Sequence, residues 1–314
     1  MRLCFGPMSQ EAIEAIFQSS HYLRIPIDIV ASLNQVNKDG GYVYSTQDLM
    51  LECERLDGLY KFANVRVGMD HFWIGRSDKE EIKVAIENGY KHIHLDPKYN
   101  RDVYNFGKTE ISRLIEFIRD LSGDVTIELG DETTEESPHF IDTIYNEYKP
   151  DYIVTGLNTK VMEGMQCGEV DYDKLRAIQH LPVKIHGADF LDVHTIRNIS
   201  IINPRFGLNV APQLAVVQSR LLMMMCDTYG INYFRLYEMV CESASWRRWI
   251  YPENENNYDL IFACMAHYFQ QTQAYVDAYS QIHQRASNDM NYMIVNQLRE
   301  VITHYDKSTK GTNE

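Results

Sequence analysis

The segment KHIHLDP places two imidazoles and a carboxylate at alternate positions, His92, His94 and Asp96. In a β-strand, residues two apart share a face, so these three point one way while Ile93 and Leu95 point the other. Thr126, Glu128 and Gly130 share a face in the same manner, as do Lys184 and His186. Asp70-His71 closes a fourth apolar run and Asn209 lies in a fifth. Buried imidazoles and carboxylates need hydrogen-bond partners or a ligand. Neutral imidazole nitrogen and carboxylate oxygen bind zinc, manganese or cobalt, and a catalytic site leaves one position open for substrate. A metal so held polarises a carbonyl and stabilises an enediolate, while a carboxylate moves the proton. That chemistry serves aldol cleavage and epimerisation next to a carbonyl.

These residues must be positioned by the elements that carry them. Short apolar runs predict strands at Arg2–Phe5, Pro26–Ala31, Val65–Asp70, His92–Asp96, Val125–Leu129, Tyr152–Thr155, Val183–His186 and Phe206–Val210. Amphipathic patterns between them predict helices at Gln10–Gln18, Thr46–Cys53, Lys79–Asn88, Lys108–Leu121, Pro138–Tyr148, Tyr172–His180, Val193–Ile199 and Pro212–Thr228. Ser45, Ser77-Asp78 and Ser137-Pro138 supply helix-entry chemistry. Strand and helix alternating eight times is the signature of an α/β chain folded as a (β/α)8, or TIM, barrel. The competing open sheet would announce a GxGxxG after its first strand, and none is present. Polar groups ending several strands then fall on the C-terminal rim, where such barrels keep their active sites.

After about Tyr229 the sequence turns Met-, Tyr- and Gln-rich. It predicts helices at Tyr233–Ser243, Tyr258–Ser280 and Asn288–His304, with an aromatic packing face from Tyr258 to Tyr279. We therefore divide the chain into a barrel over 1–229, a helical extension over 230–305, on the barrel or at a subunit interface, and a polar, frayed tail over 306–314. The net charge of −14 argues against a nucleic-acid partner, because phosphate backbones are held by clustered Lys and Arg. It leaves room for one small phosphorylated ligand. The six cysteines are scattered without a CxxC pair, which suits reduced, buried thiols. No run approaches the roughly 18 apolar residues of a spanning helix, and the expected location is the cytoplasm.

Four segments in order, PMSQEAIEAIF, SLNQVNKDGGYVYSTQDL, VGMDHFWIG and KHIHLDPKYN, resemble the N-terminal half of D-tagatose-bisphosphate aldolase Z-type subunits. VKIHGADF and FGLNVAPQLAVVQSRLL extend the likeness to about residue 250. Through that branch the chain resembles the class II, metal-dependent fructose- and tagatose-bisphosphate aldolases. The resemblance implies a proton-transferring Asp70, metal-binding His71 and His186, and a substrate-contacting Asn209. Two positions depart from it: Asn158 stands where the third zinc His falls, leaving Glu128, Glu132 or His94 to replace it. Asp189 stands at the phosphate-cradling Ser.

The expected site is therefore Asp70 as acid/base, with His71 and His186 as metal ligands, joined by Glu128 or His94. Asn34, Gln35, Asp96, Lys184, Asp189 and Asn209 are expected to contact substrate. The amides of Asn34, Gln35 and Asn37, beside Gly40-Gly41, also suit a turn, but amides at a barrel rim suit polyol hydroxyls and the binding role is the expectation. The expected cofactor is a divalent metal, zinc first, and the expected ligand a sugar or sugar phosphate. Retro-aldol cleavage leads, with ketose epimerisation at the same metal as the alternative. A third reading is a non-catalytic subunit that stabilises a separate catalytic aldolase. A homo-oligomer is expected, and neither nucleic acid nor membrane.

Overall fold

The computed structural model describes residues 2–33, 35–36, 45–97, 108–130, 137–157, 162–163, 170–286 and 289–310. Asn34, Asn37, Gly40, Gly41, Glu132 and Asn158, singled out above, lie outside them.

Eight parallel strands close into a barrel in chain order. They are β1 (Arg2–Phe5), β2 (Pro26–Ser32), β3 (Asn64–Trp73), β4 (His92–Asp96), β5 (Thr126–Gly130), β6 (Tyr152–Thr155), β7 (Val183–Ile185) and β8 (Phe206–Val210). The circle closes where β1 pairs with β8, Arg2 opposite Gly207. Around it lie α1 (Gln10–Leu23), α2 (Thr46–Leu59), α3 (Lys79–Glu87), α4 (Lys108–Leu121), α5 (Pro138–Tyr148), α6 (Tyr172–Ala177), α7 (Val193–Ile202) and α8 (Pro212–Tyr229). The predicted entries hold locally: Ser45 with Asp48, and Asp78 with Glu81, form capping boxes that satisfy the first free N–H groups of α2 and α3.

The apolar core lies between sheet and helices, where Leu3, Ile27, Ile93, Ile127 and Leu208 are buried. The barrel interior is different. Arg2 on β1 reaches Glu128 on β5 at 2.8 Å, and Lys184 on β7 reaches the same carboxylate at 2.7 Å. These strands are not neighbours, so both bonds cross the inside of the cylinder. An interior usually filled by branched apolar side chains is here crossed by ion pairs. Gly68 makes room for this: a Cβ there would come 1.8 Å from the ring of His92, the inward residue paired beside it on β4.

The C-terminal extension comprises α9 (Phe234–Glu242), α10 (Tyr258–Met265), α11 (Gln273–Ala286) and α12 (Asp289–Lys310). The single helix expected over Tyr258–Ser280 is broken. Its chain tightens into a 3-10 turn at Ala266–Phe269, and the Thr272 hydroxyl accepts from Tyr275 N to start α11 anew. Nor is the chain frayed over 306–310, while the expected tail beyond Lys310 lies outside the described residues. α12 continues to Lys310 because Tyr305, Asp306 and Ser308 are buried and the Ser308 hydroxyl bonds back to His304 O. Phe262, His267 and Tyr275 of the aromatic stripe are buried, whereas Tyr258 is exposed. Cys4, Cys53, Cys226, Cys241 and Cys264 are free thiols, all but Cys241 buried. Among the described residues no helix is long and apolar enough to cross a membrane.

Candidate metal centre

β3 carries one residue more than its partner. Met69 pairs with Ile93 and Phe72 with Leu95, so Asp70 and His71 together oppose a single step of β4. This is a β-bulge, and His71 takes the left-handed conformation (φ 55°) that an ordinary side chain avoids. Strict alternation would send adjacent residues to opposite faces. The bulge instead turns both toward the same point on the rim, at a local backbone cost of order 1–3 kcal/mol.

There Asp70, His71, His94 and His186 converge, with one potential ligand atom from each lying within 4.8 Å of the others. The outer nitrogens of His94 and His71 are fixed by partners. His94 Nε2 lies 2.8 Å from the Gly130 carbonyl, so it carries the proton and Nδ1 turns its lone pair inward. His71 Nδ1 lies 2.7 Å from Asp96, leaving His71 Nε2 facing Asp70 at 3.6 Å. His186 Nε2 lies 3.6 Å from Asp70 and 3.2 Å from the amide nitrogen of Asn209, which also donates to Asp70 at 3.2 Å. His94 Nδ1 stands 3.0 Å from Asp70 Oδ1. These four side chains are close enough together that they could hold one metal ion, although the His71 backbone N–H at 3.3 Å from His94 Nδ1 and the Asn209 amide already bond to three of them. Three imidazoles with a carboxylate fit zinc or a similar ion, and an imidazole anchored by a carboxylate or carbonyl is the usual outer support of such a ligand.

Below this cluster lies a second polar tier. Lys184 stands 3.7 Å from Asp70 and is bonded to Glu128, which Arg2 also holds. Arg2 continues to Asp28, and Arg66 bonds Asp28 at 2.9 Å. Glu128, offered above as a ligand, thus has both oxygens engaged by cations and lies outside the cluster. Lys184, expected to meet substrate, is buried beneath it. Burial works against the ionised form of Asp70. His71, Lys184 and His186 beside it nevertheless hold its carboxyl well below the usual range. Burial likewise opposes ionised Glu128, and Lys184 and Arg2 outweigh it.

Of the remaining expected contacts, Asp96 is wholly buried and orients His71. Gln35 spends its carbonyl on Ser32 N at 2.6 Å, within its own turn. Asp189 is wholly buried and its Oδ1 accepts from Ala211 N and Gln213 N at the start of α8. Asn209 Oδ1 is a buried acceptor without a partner among the described residues. Arg2 and Asp28 escaped the sequence reading. Charges inside the short apolar runs RLCF and PIDIVAS were the available signal.

His92 sits in the lower tier with both ring nitrogens unpartnered, and burial together with Arg2 pushes it down to about 4. His267, in the extension, is likewise unpartnered and pushed down to about 3 by burial. The fold requires both rings neutral, whereas the unfolded chain takes up protons below about pH 6.5. Stability from these groups is therefore complete above pH 6.5 and falls as pH drops toward 4. The expected loss between pH 7 and 4.5 is roughly 2–3 kcal/mol for each ring. Asp28, Asp70 and Glu128, all lowered, lose their contributions only in more acid solution. Urea midpoints at the two pH values should shift less in a His92→Leu/His267→Leu variant than in the parent; equal shifts would refute the assignment.

No protein-family model matches the sequence, and no curated protein matches it. The likeness is to solved structures. A probable tagatose 6 phosphate kinase from Sinorhizobium meliloti 1021 superposes with a TM-score of 0.77 at 15% identity, over 98% of this chain and 99% of that one. The fructuronate-tagaturonate epimerase UxaE from Cohnella laeviribosi, complexed with glycerol, gives 0.64 at 10% identity, over 97% and 81%. The YdjI aldolase from Escherichia coli K12 gives 0.56 at 12% identity, over 87% and 90%. The chain thus has a (β/α)8 fold shared with aldolases and an epimerase.

Proposed function

We propose that this chain is a metal-dependent enzyme of the retro-aldol type, acting on a ketose or a closely related sugar. The observation that carries the reading is the convergence of three imidazoles, two of them anchored from outside, on one carboxylate at the C-terminal rim. His71, His94 and His186 would hold a divalent ion, zinc first, and the ion when bound would polarise the substrate carbonyl. Asp70, with the Lys184 ammonium 3.7 Å away favouring its ionised form, would take the proton from the hydroxyl on the carbon β to that carbonyl. The carbon–carbon bond then breaks and its electron pair moves toward the carbonyl oxygen. Asn209 steadies Asp70 and offers its free acceptor to a substrate hydroxyl.

The third imidazole favours an enzyme over a non-catalytic subunit. Among the described residues the cluster holds one carboxylate, and Asp96 is spent on His71. That favours cleavage over an epimerase built on two carboxylates and two imidazoles. The expected residence is the cytoplasm.

The test is metal analysis of the purified chain together with carbonyl-product assays on a panel of ketoses and ketose phosphates. Asp70→Asn should keep the metal and lose turnover by roughly 10²–10⁴-fold. A chain that neither carries nor takes up metal, or an Asp70→Asn variant with parental turnover, would sink the proposal. Absent turnover joined to activation of a separate aldolase would move the chain to the subunit reading.

A further inference from the structure

We infer that the ligand presents hydroxyl groups, and no phosphate, to the loops that follow β7 and β8, because Asp189 already fills the place where a phosphate would bind. The inference rests on the reading of this rim as a sugar site. In (β/α)8 barrels, phosphate is commonly held by the loops after the seventh and eighth strands and by a helix N-terminus. Such a terminus offers free N–H groups and the positive end of the helix dipole. α8 is a helix of 18 residues, and its entry residue Ala211 has no side chain to cap it. Ala211 follows β8 directly, two residues beyond Asn209.

Here the anion belongs to the protein. Asp189 Oδ1 accepts from Ala211 N at 3.0 Å and from Gln213 N at 2.8 Å, and the residue is wholly buried. The side chain of Gln213 is turned away from the helix axis: its Oε1 accepts from Phe190 N at 2.9 Å. The Tyr305 hydroxyl, delivered by α12, lies 2.7 Å from that same oxygen and 2.8 Å from Ala188 O. Both ends of the loop that holds Asp189 are thereby pinned. An incoming phosphate would have to evict a carboxylate from two N–H bonds or sit against its charge. Among the described residues Asn209 Oδ1 is a buried acceptor at this rim without a hydrogen-bond partner, which suits a hydroxyl donor and repels an anion.

The experiment uses inorganic phosphate as probe, followed by calorimetry and phosphorus NMR on the full chain, with metal content matched across variants. The parent should show no saturable phosphate binding. Asp189→Ser frees the two N–H groups and removes the charge, and should bind phosphate at least about tenfold more tightly, the worth of one recovered charge-assisted bond. Asp189→Asn keeps an acceptor over the same N–H groups and should gain less than Asp189→Ser. Saturable phosphate binding by the parent, as tight as in the serine variant, overturns the inference. So does a folded Asp189→Ser variant, with parental circular dichroism, that gains nothing. Should that variant fail to fold, parental melting in phosphate against chloride at equal ionic strength decides: equal melting supports the inference and a saturable rise overturns it. A parent without metal would defeat the proposed function and leave these phosphate outcomes readable.

Discussion

Replacing His94 with alanine is expected to remove metal and turnover together while leaving the barrel folded. His94 is fully buried, with Nε2 tied to the Gly130 carbonyl and Nδ1 turned to the other ligand atoms. Loss of an imidazole that touches the ion should cost more than loss of a group that merely orients one, for which 10–100-fold in affinity is usual. The internal control is Asp96→Asn, which weakens the hold on His71 Nδ1 and should fall within that 10–100-fold range. Competition with a zinc chelator measures both. Parental affinity in His94→Ala would mean that the imidazoles are satisfied core residues and the centre is structural.

Lys184→Met should be the most destabilising single change in the barrel interior. The lysine is fully buried, and it is the direct partner of Glu128 and a near neighbour of Asp70. Methionine matches its length and removes its charge, leaving Glu128 to Arg2 alone inside a water-poor tier. Removing one partner of a buried pair typically costs about 3–5 kcal/mol, because the other charge stays behind. The double variant Lys184→Met/Glu128→Gln should recover part of that loss, since the stranded charge goes with it. Chemical denaturation reads both changes. A single variant within about 1 kcal/mol of the parent, or a double variant worse than the single one, would show that the ion pair carries no structural weight.

The barrel was legible because its signals are local. Period-two apolar runs of strand length alternate with amphipathic stretches, and Ser45, Asp78 and Ser137 mark helix entries by their own side-chain bonds. The face on which a polar residue lies was legible too. His94 and Asp96 share the interior of β4, and Lys184 shares the interior with His186. Depth along the barrel axis was not legible, since it depends on how eight strands are staggered. Hence Glu128 and Lys184, which alternation groups with the rim, lie one tier lower and neutralise each other. The break at Gln270–Thr272 was hidden as well, because an uninterrupted aromatic pattern reads as one helix. Nothing in VGMDHFWIG announces the bulge in β3, which is a compromise between strand pairing and side-chain placement.

That bulge separates two design tasks. The pairs on either side of it, Met69 with Ile93 and Phe72 with Leu95, stay in place, so closing the cylinder does not depend on what the additional residue does. Reactivity enters here as an insertion into a finished framework. A scaffold arranged in this way can gain or lose its chemistry through a change in chain length at one point, without renegotiating the pairing of the other seven strands.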